Sequence, residues 1–282
     1  MAYKILEKTK LNSSIWKIVV GAPVVAKKAK AGQFVILKID EKGERIPLTI
    51  NDCDPERGTL TIIFQEAGTT TKRLGCLKNA DTLSDVLGPL GKSTDFGRAG
   101  KVVLVAGGVG IAEIMPIAKY AKTCGNYVLT IIGSRTKELL ILEDELKKMS
   151  DLLIVTTDDG SYGQKALVTG PLKDAITKER FDLCYCVGPD IMMKAVSETT
   201  KGYGLRTIVS LDANMVDATG MCGTCRVNVG GKTKFACVDG PEFDAHLVDW
   251  DGFLKRQKRF VKEEKASLEV FQSKHKNCNY RA

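Results

Sequence analysis

Val102-Val103-Leu104-Val105-Ala106-Gly107-Gly108-Val109-Gly110-Ile111-Ala112 is the stretch on which the reading of the fold turns. Its apolar run has no polar alternation, as in a strand covered on both faces of a parallel sheet. The glycines that follow turn the chain tightly, and Ile111 to about Ala121 reads as a helix. A strand, a glycine turn and a helix in that order place backbone N–H groups and a helix N-terminus where a pyrophosphate can bind. The three-glycine fingerprint is incomplete, because Glu113 occupies its last position. A tight turn without a ligand is the alternative at this point.

Downstream the same rhythm continues. Val128 to Ile132, Leu152 to Val155 and Leu183 to Val187 read as strands. Helices are expected over Glu138 to Met149, from Pro171 to Lys178, and from about Pro189. Alternating strands and helices imply a parallel α/β sheet with helices on both faces. Asp158-Asp159-Gly160-Ser161-Tyr162-Gly163 and Val187-Gly188-Pro189 then leave the sheet at the carboxyl edge, as Gly108 and Gly110 do. Ligands bind at that edge in such sheets.

Upstream the pattern is all-β. Ile15 to Val20, Gly32 to Ile39 and Thr59 to Phe64 are short strand-like runs, separated by turn residues such as Asp54-Pro55-Glu56-Arg57-Gly58. This spacing predicts a small β-barrel. In it, Arg45-Ile46-Pro47-Leu48-Thr49 offers a cation and a hydroxyl to a planar ring. Gly68-Thr69-Thr70-Thr71 offers hydroxyls and N–H groups to a phosphate at a helix start, although a threonine run is more often a cap or turn.

Beyond Leu211 the rhythm breaks again. Asp217-Ala218-Thr219-Gly220-Met221-Cys222-Gly223-Thr224-Cys225 is followed by Cys237, with a Gly230-Gly231 hairpin turn between. Cys222 and Cys225 can bind one metal centre from a single turn, and thiolates suit zinc or iron–sulfur centres. Three cysteines leave one ligand to find. Asp217 is the best placed, and His246 is the second choice. A structural zinc site stays open on spacing alone. The domains expected are 1–98, a barrel; 99–210, an α/β domain; 211–245, a metal-bearing module; and 246–282, a charged, helical tail.

The chain has 282 residues, 44% hydrophobic and 27% charged, enough apolar material for a sizeable core. Its formal charge of +8 is scattered and carries no nucleic-acid motif, so nucleic acid is not the expected partner. The densest basic run, Lys255-Arg256-Gln257-Lys258-Arg259, reads as a solvated helix face, with an acidic protein partner as the alternative. No apolar run reaches membrane-span length, and residues 1–7 have no secretory stretch, so the expected location is the cytoplasm. Disulfides are therefore not expected. Of the nine cysteines, Cys53, Cys76, Cys124, Cys184, Cys186 and Cys278 lie apart from the motif, and most of them are expected to be small buried hydrophobes.

Taken together, Arg-x-Pro-Leu-Thr, Gly-x-x-Thr, Gly-Gly-Val-Gly-Ile-Ala and Thr-Asp-Asp-Gly-Ser-Tyr-Gly resemble the ferredoxin–NADP reductase superfamily. The cysteine module narrows the resemblance to the electron-transfer subunit of dihydroorotate dehydrogenase B and its relatives. Within these, the Asp-x-x-x-x-Cys-x-x-Cys pattern and the segment Ala236–Asp244 are most similar to the small subunits of NADH-dependent reduced ferredoxin:NADP oxidoreductases, also described as sulfide dehydrogenase small subunits. The resemblance implies that Arg45, Pro47, Leu48 and Thr49 hold the isoalloxazine and ribityl region of FAD, and Gly68, Thr70 and Thr71 its pyrophosphate. It implies that Gly108, Gly110, Asp159 and Gly160 hold NAD(H), and that Asp217, Cys222, Cys225 and Cys237 ligate a [2Fe-2S] cluster.

It also implies hydride exchange between NAD(H) and FAD, with single electrons passed to the cluster and no catalytic acid, base or nucleophile. The implied partner is a larger subunit with another FAD, [4Fe-4S] clusters and an NADP(H) site, coupled to ferredoxin by electron bifurcation. Asp217 stands where dihydroorotate-type subunits carry cysteine. Glu113 replaces a proline common in the superfamily, and Val187 a frequent cysteine. The rival expectations are the dihydroorotate dehydrogenase B subunit itself and a non-catalytic zinc and nucleotide binding module.

Overall fold

The computed structural model describes residues 3–274. The chain opens with β1 (Tyr3–Lys10), β2 (Ile15–Gly21), a short helix α1 (Pro23–Ala26), β3 (Phe34–Lys38), β4 (Arg45–Asp54) and β5 (Thr59–Gln65). Helix α2 (Thr69–Cys76) precedes β6 (Thr82–Leu83) and β7 (Asp85–Leu90). These seven strands form one sheet in the order β6-β1-β2-β5-β4-β3-β7. Its neighbouring pairs are antiparallel, and its two end strands are consecutive in the chain, so the sheet curls into a nearly closed barrel. Alternate residues, such as Ile18, Val20, Leu60, Ile62 and Phe64, point inward and make its core.

A second sheet follows. Its parallel part is β8 (Lys101–Gly107), β9 (Tyr127–Ser134), β10 (Leu152–Thr157), β11 (Gln164–Lys165), β12 (Leu183–Val187) and β13 (Thr207–Ser210). Helices α3 (Gly110–Thr123), α4 (Glu143–Lys148), α5 (Thr169–Lys178) and α6 (Asp190–Lys201) connect these strands. The apolar run in β8 is buried on both sides, as its composition predicts. Val103 and Val105 face one core, and Val102, Leu104 and Ala106 face the other. At about 1.5–3 kcal/mol for each fully buried aliphatic side chain, this strand anchors the domain.

One predicted helix is much shorter than expected. Between Glu138 and Met149 the chain makes a 3₁₀ turn over Lys137–Leu139, and α4 begins only at Glu143. Leu142 adopts φ 57, a left-handed conformation that interrupts helical hydrogen bonding, although the leucine spacing is helical. Strands β1, β4, β7 and β13 are further elements for which the sequence reading had no strand.

The cysteine-bearing segment forms a hairpin, β14 (Arg226–Val229) and β15 (Lys232–Phe235), then a short helix α7 (Ala236–Asp239) and β16 (Glu242–Asp244). Gly230 and Gly231 both have positive φ, 58 and 75, at the two turn positions that demand it. β16 does not stay within a separate module. It adds antiparallel to β13 at the edge of the large sheet, which runs β11-β10-β9-β8-β12-β13-β16. Two helices close the described chain, α8 (Trp250–Gln257) and α9 (Val261–Lys274). Trp250 and Phe253 of α8 share a core with Cys225 and Cys237. α9 returns to the barrel, where Ser267 and Thr69 hydroxyls lie 3.0 Å apart.

Among the described residues no helix is long and apolar enough to cross a membrane. Cys184 and Cys186 are buried, and Cys53 and Cys124 are half-buried. Cys76 is in a disulfide, contrary to the expectation from sequence, and Cys278 lies outside the described residues.

Candidate functional site

Three clusters of the expected residues can be followed into the structure. The first lies at the carboxyl edge of the large sheet. β8 and β12 are neighbours whose connections leave in opposite directions, which makes the topological switch point of the sheet. The glycine turn after β8 and Gly188-Pro189 after β12 face each other there. A Cβ on Gly110 would lie 2.6 Å from the Val187 carbonyl oxygen, so only glycine lets α3 start against β12. Gly108 has φ 58 and open space around it. Asp159 and Gly160 leave the same edge from β10, one strand beyond β9 from β8. The Asp159 carboxylate accepts from the Ser161 amide at 2.9 Å and its hydroxyl at 2.7 Å, which holds its pKa below the ordinary value.

The second cluster lies on the barrel. Arg45, Pro47, Leu48 and Thr49 sit along β4, with Arg45 4.0 Å from Asp85 at the barrel surface. β4 faces the N-terminal end of α3, and Asn51 donates to the Ala112 carbonyl at 2.6 Å. Gly68 caps α2, and no neighbour lies where its Cβ would be. The Thr71 hydroxyl is used locally, accepting from the Gly68 and Ala67 amides at 3.0 Å. The Thr70 hydroxyl donates to Glu44 at 2.8 Å. What this helix start offers an anion is therefore mainly its first-turn N–H groups.

Between these two clusters stands a group of carboxyls the sequence reading did not assemble. Glu113, in the first turn of α3, accepts from the Thr49 hydroxyl of β4. Its pKa is pushed up to about 8, first by desolvation and then by the charge of Asp212. Asp190, at the start of α6, is raised to about 6 by burial and again by Asp212. Asp212 itself shifts in the same direction through desolvation by the surrounding loops, although the residue keeps an exposed surface. The available signal was Glu113, an acid at a position where the fingerprint has glycine; Asp190 and Asp212 carry none, because only the sheet brings their loops together.

The third cluster is the cysteine loop. Ala218, Gly220 and Gly223 take left-handed conformations, with φ 58, 83 and 65, and wind the chain tightly around it. Asp217 accepts from the Thr219 and Cys222 amides, each at 3.1 Å, and lies 3.2 Å from the Cys222 sulfur. Cys225 and Cys237 are buried, with their sulfurs 3.2 Å apart. The donors thus form two pairs, one exposed and one buried. Among the described residues no three Cys, His, Asp or Glu side chains gather as a single ion requires. Two pairs match a binuclear centre, in which each iron takes two protein ligands, better than a tetrahedral zinc ion.

Hydrogen bonds from Thr224 lead in holding the Cys222 thiol below its ordinary pKa. Burial, with the shared Cys225 contact, pushes Cys237 up to about 12. His246, the second choice as a ligand, is turned away, with Nε2 3.0 Å from the Thr200 hydroxyl.

Comparison with known proteins follows the same division. Residues 212–249 match the family model of the iron–sulfur cluster binding domain of dihydroorotate dehydrogenase B. The chain is 47% identical over 268 residues, 95% of each chain, to the dihydroorotate dehydrogenase B (NAD(+)) electron transfer subunit homolog of Thermotoga maritima. It is 31% identical over 253 residues to the dihydroorotate dehydrogenase B (NAD(+)) electron transfer subunit of Streptococcus pneumoniae, covering 87% of this chain and 96% of the relative. Among solved structures, a chain of the NADH-dependent reduced ferredoxin-NADP oxidoreductase, studied for flavin-based electron bifurcation, superposes with a TM-score of 0.90 at 47% identity, covering 96% of this chain and 98% of the other. Phthalate dioxygenase reductase shares the fold, with a TM-score of 0.60 at 19% identity over 81% of this chain and 86% of its own.

Proposed function

The chain belongs to the family of dihydroorotate dehydrogenase B electron transfer subunits and their homologues, and from that premise we propose that it is the NAD(H)-facing subunit of a bifurcating NADH-dependent ferredoxin:NADP oxidoreductase. It is an oxidoreductase subunit that uses FAD, NAD(H) and a [2Fe-2S] cluster. When bound, the flavin takes up electrons as a hydride and releases them singly, which is what joins nicotinamide chemistry to a one-electron cluster.

The chain's own residues then have these roles in the proposal. Arg45, Pro47, Leu48 and Thr49 hold the isoalloxazine and ribityl region of FAD, while Gly68, Thr70, Thr71 and the first-turn N–H groups of α2 hold its pyrophosphate. Gly108 and Gly110 receive NAD(H) at the switch point, and Asp159 and Gly160 bound the same edge from β10. Asp217 and Cys222 supply one iron, and Cys225 and Cys237 the other. The observation that carries the reading is this two-plus-two donor set, inside the segment that matches the cluster-binding family model.

The partner in this reading is a larger subunit with its own FAD, [4Fe-4S] clusters and NADP(H) site, and ferredoxin reacts through the complex. The test is to purify the complex anaerobically, measure iron, acid-labile sulfide and the visible spectrum, and assay NADPH-dependent NAD reduction coupled to ferredoxin. Loss of that coupling in an iron-replete, flavin-replete complex would reject bifurcation. The second reading, electron transfer for dihydroorotate dehydrogenase B, takes its support from the names of the relatives. Dihydroorotate-dependent NAD reduction by the same complex would decide for it.

A further inference from the structure

The basic run Lys255-Arg256-Gln257-Lys258-Arg259 does not behave as one solvated face. Lys255, Lys258 and Arg259 are exposed, whereas Arg256 is half-buried in the last turn of α8. Its Nη2 donates to the Thr224 carbonyl at 3.1 Å, within the Cys222-x-x-Cys225 loop. Its Nε is buried without a hydrogen-bond partner among the described residues. Arg226 braces the same loop through the Gly223 carbonyl at 3.2 Å. Arg226, Arg256 and Arg259 also line one small cavity beside Thr224.

Three guanidinium groups so placed concentrate positive charge on one side of the cysteine loop. Among the described residues none of the three has a carboxylate ion-pair partner. Arg226 and Arg259 are exposed, but Arg256 is half-buried, and a half-buried cation without an anionic partner is costly unless a negative charge is held close by. A cluster of two ferric irons and two sulfides, held by three thiolates and a carboxylate, is anionic, and one-electron reduction adds a further negative charge.

We infer that Arg256, backed by Arg226, is a positioning residue that provides the fixed positive charge against which the cluster is reduced, and so raises its reduction potential. Gln257, next in the chain, ties the start of the module, donating to the Asp212 carbonyl at 2.6 Å and accepting from the Asn214 amide at 3.3 Å. α8 therefore holds both the start of the module and the Cys222–Cys225 loop, and the charge of Arg256 stays in register with that loop. This inference rests on the cluster assignment above.

The test uses the full chain with its co-purified partner subunit, carrying Arg256→Gln, Arg256→Lys or Arg226→Gln. Iron, sulfide and the visible spectrum are measured first, and the cluster potential is then titrated by electron paramagnetic resonance. Arg256→Gln is expected to keep its iron and to lower the one-electron reduction equilibrium by about tenfold, the equivalent of 59 mV. Arg256→Lys keeps the charge and is expected to stay near the parent, and Arg226→Gln is expected to shift less, in the same direction. An unchanged potential in iron-replete Arg256→Gln overturns the inference. So does an equal shift in Arg256→Lys, or loss of the cluster from both Arg256 variants, which would leave Arg256 a purely structural brace. Absence of iron from the parent protein would instead reject the cluster assignment itself.

Discussion

The hydroxyl of Tyr185 donates to Oε1 of Glu242 at 2.8 Å. Tyr185 is buried in β12 of the large sheet, and Glu242 begins β16, the strand that the cysteine segment contributes to that sheet. Thr94, in the link from the barrel, donates to the same oxygen. A Cβ on Gly32, in the barrel, would run into both Thr94 and Glu242. One carboxylate thus joins the barrel, the sheet and the cysteine segment. Burial pushes Glu242 upward in pKa, and burial with the Glu242 charge pushes the Tyr185 phenol well above its ordinary value.

Tyr185→Phe removes one of the two side-chain donors of a mostly buried carboxyl. The expected loss of stability is about 1–3 kcal/mol, read from urea unfolding. A cost below a few tenths of a kcal/mol would show that Glu242 is not a structural joint.

The paired donors make separate demands. Cys225→Ser and Cys237→Ser, at the buried pair, are expected to abolish iron incorporation. Asp217→Ala is expected to cut the iron content and lower the visible absorbance, whereas Asp217→Cys keeps the iron and changes the spectrum, because sulfur replaces a hard oxygen on the metal. His246→Ala is expected to retain full iron, since that ring lies against Thr200. Iron and sulfide analysis of each variant checks the set, and iron lost from His246→Ala would redraw it.

Glu113 sets a pH dependence of known sign. Its pKa is raised from 4.5 to about 8, so between those values the folded protein holds a proton that the unfolded chain has released. Its contribution to stability is full below 4.5 and is lost as pH rises to about 8, with a slope of at most about 1.4 kcal/mol per pH unit. Asp190 and Asp212 shift in the same direction, so Glu113→Gln should flatten this decline without abolishing it. Urea unfolding of parent and variant from pH 5 to 9 measures the difference, and parallel curves would contradict the buried position of this carboxyl.

Gly110→Ala forces a methyl group to within 2.6 Å of the Val187 carbonyl, which is backbone and cannot swing aside. The expected results are a destabilisation of about 1–3 kcal/mol and weaker NADH binding, because the start of α3 must move away from β12. Gly108→Ala meets open space but keeps an unfavourable positive φ, so it should cost less stability. Equal losses in the two variants would show that the close approach at Gly110 does not matter.

Much of the architecture was legible because it is written in short-range patterns. The unbroken apolar run of β8 marked a strand buried on both faces, and the glycines after it marked the turn at the switch point. Gly230-Gly231 marked the hairpin between the cysteines. The long helix expected from Glu138 failed because leucine spacing alone does not reveal that Leu142 takes a left-handed conformation. β16 was missed because three residues carry no periodicity, and its partner strand β13 ends thirty-two residues earlier at Ser210. The basic run of α8 was legible in part: Lys255, Lys258 and Arg259 are exposed, as read, but residue type does not say that Arg256 turns inward.

From the sequence alone came the donor types, their spacing, the glycine turns and the order of strands and helices, all properties of residues within a turn or two of one another. The tertiary structure alone decided that Thr49 meets Glu113, that Asp212 bears on both Glu113 and Asp190, that Arg256 faces the cysteine loop, and that Glu242 closes the joint with Tyr185. Hydrophobic patterning states which face of an element leaves water but not what it packs against. The electrostatics of these sites depends on such encounters, because charges act through the low-dielectric space between residues rather than along the chain.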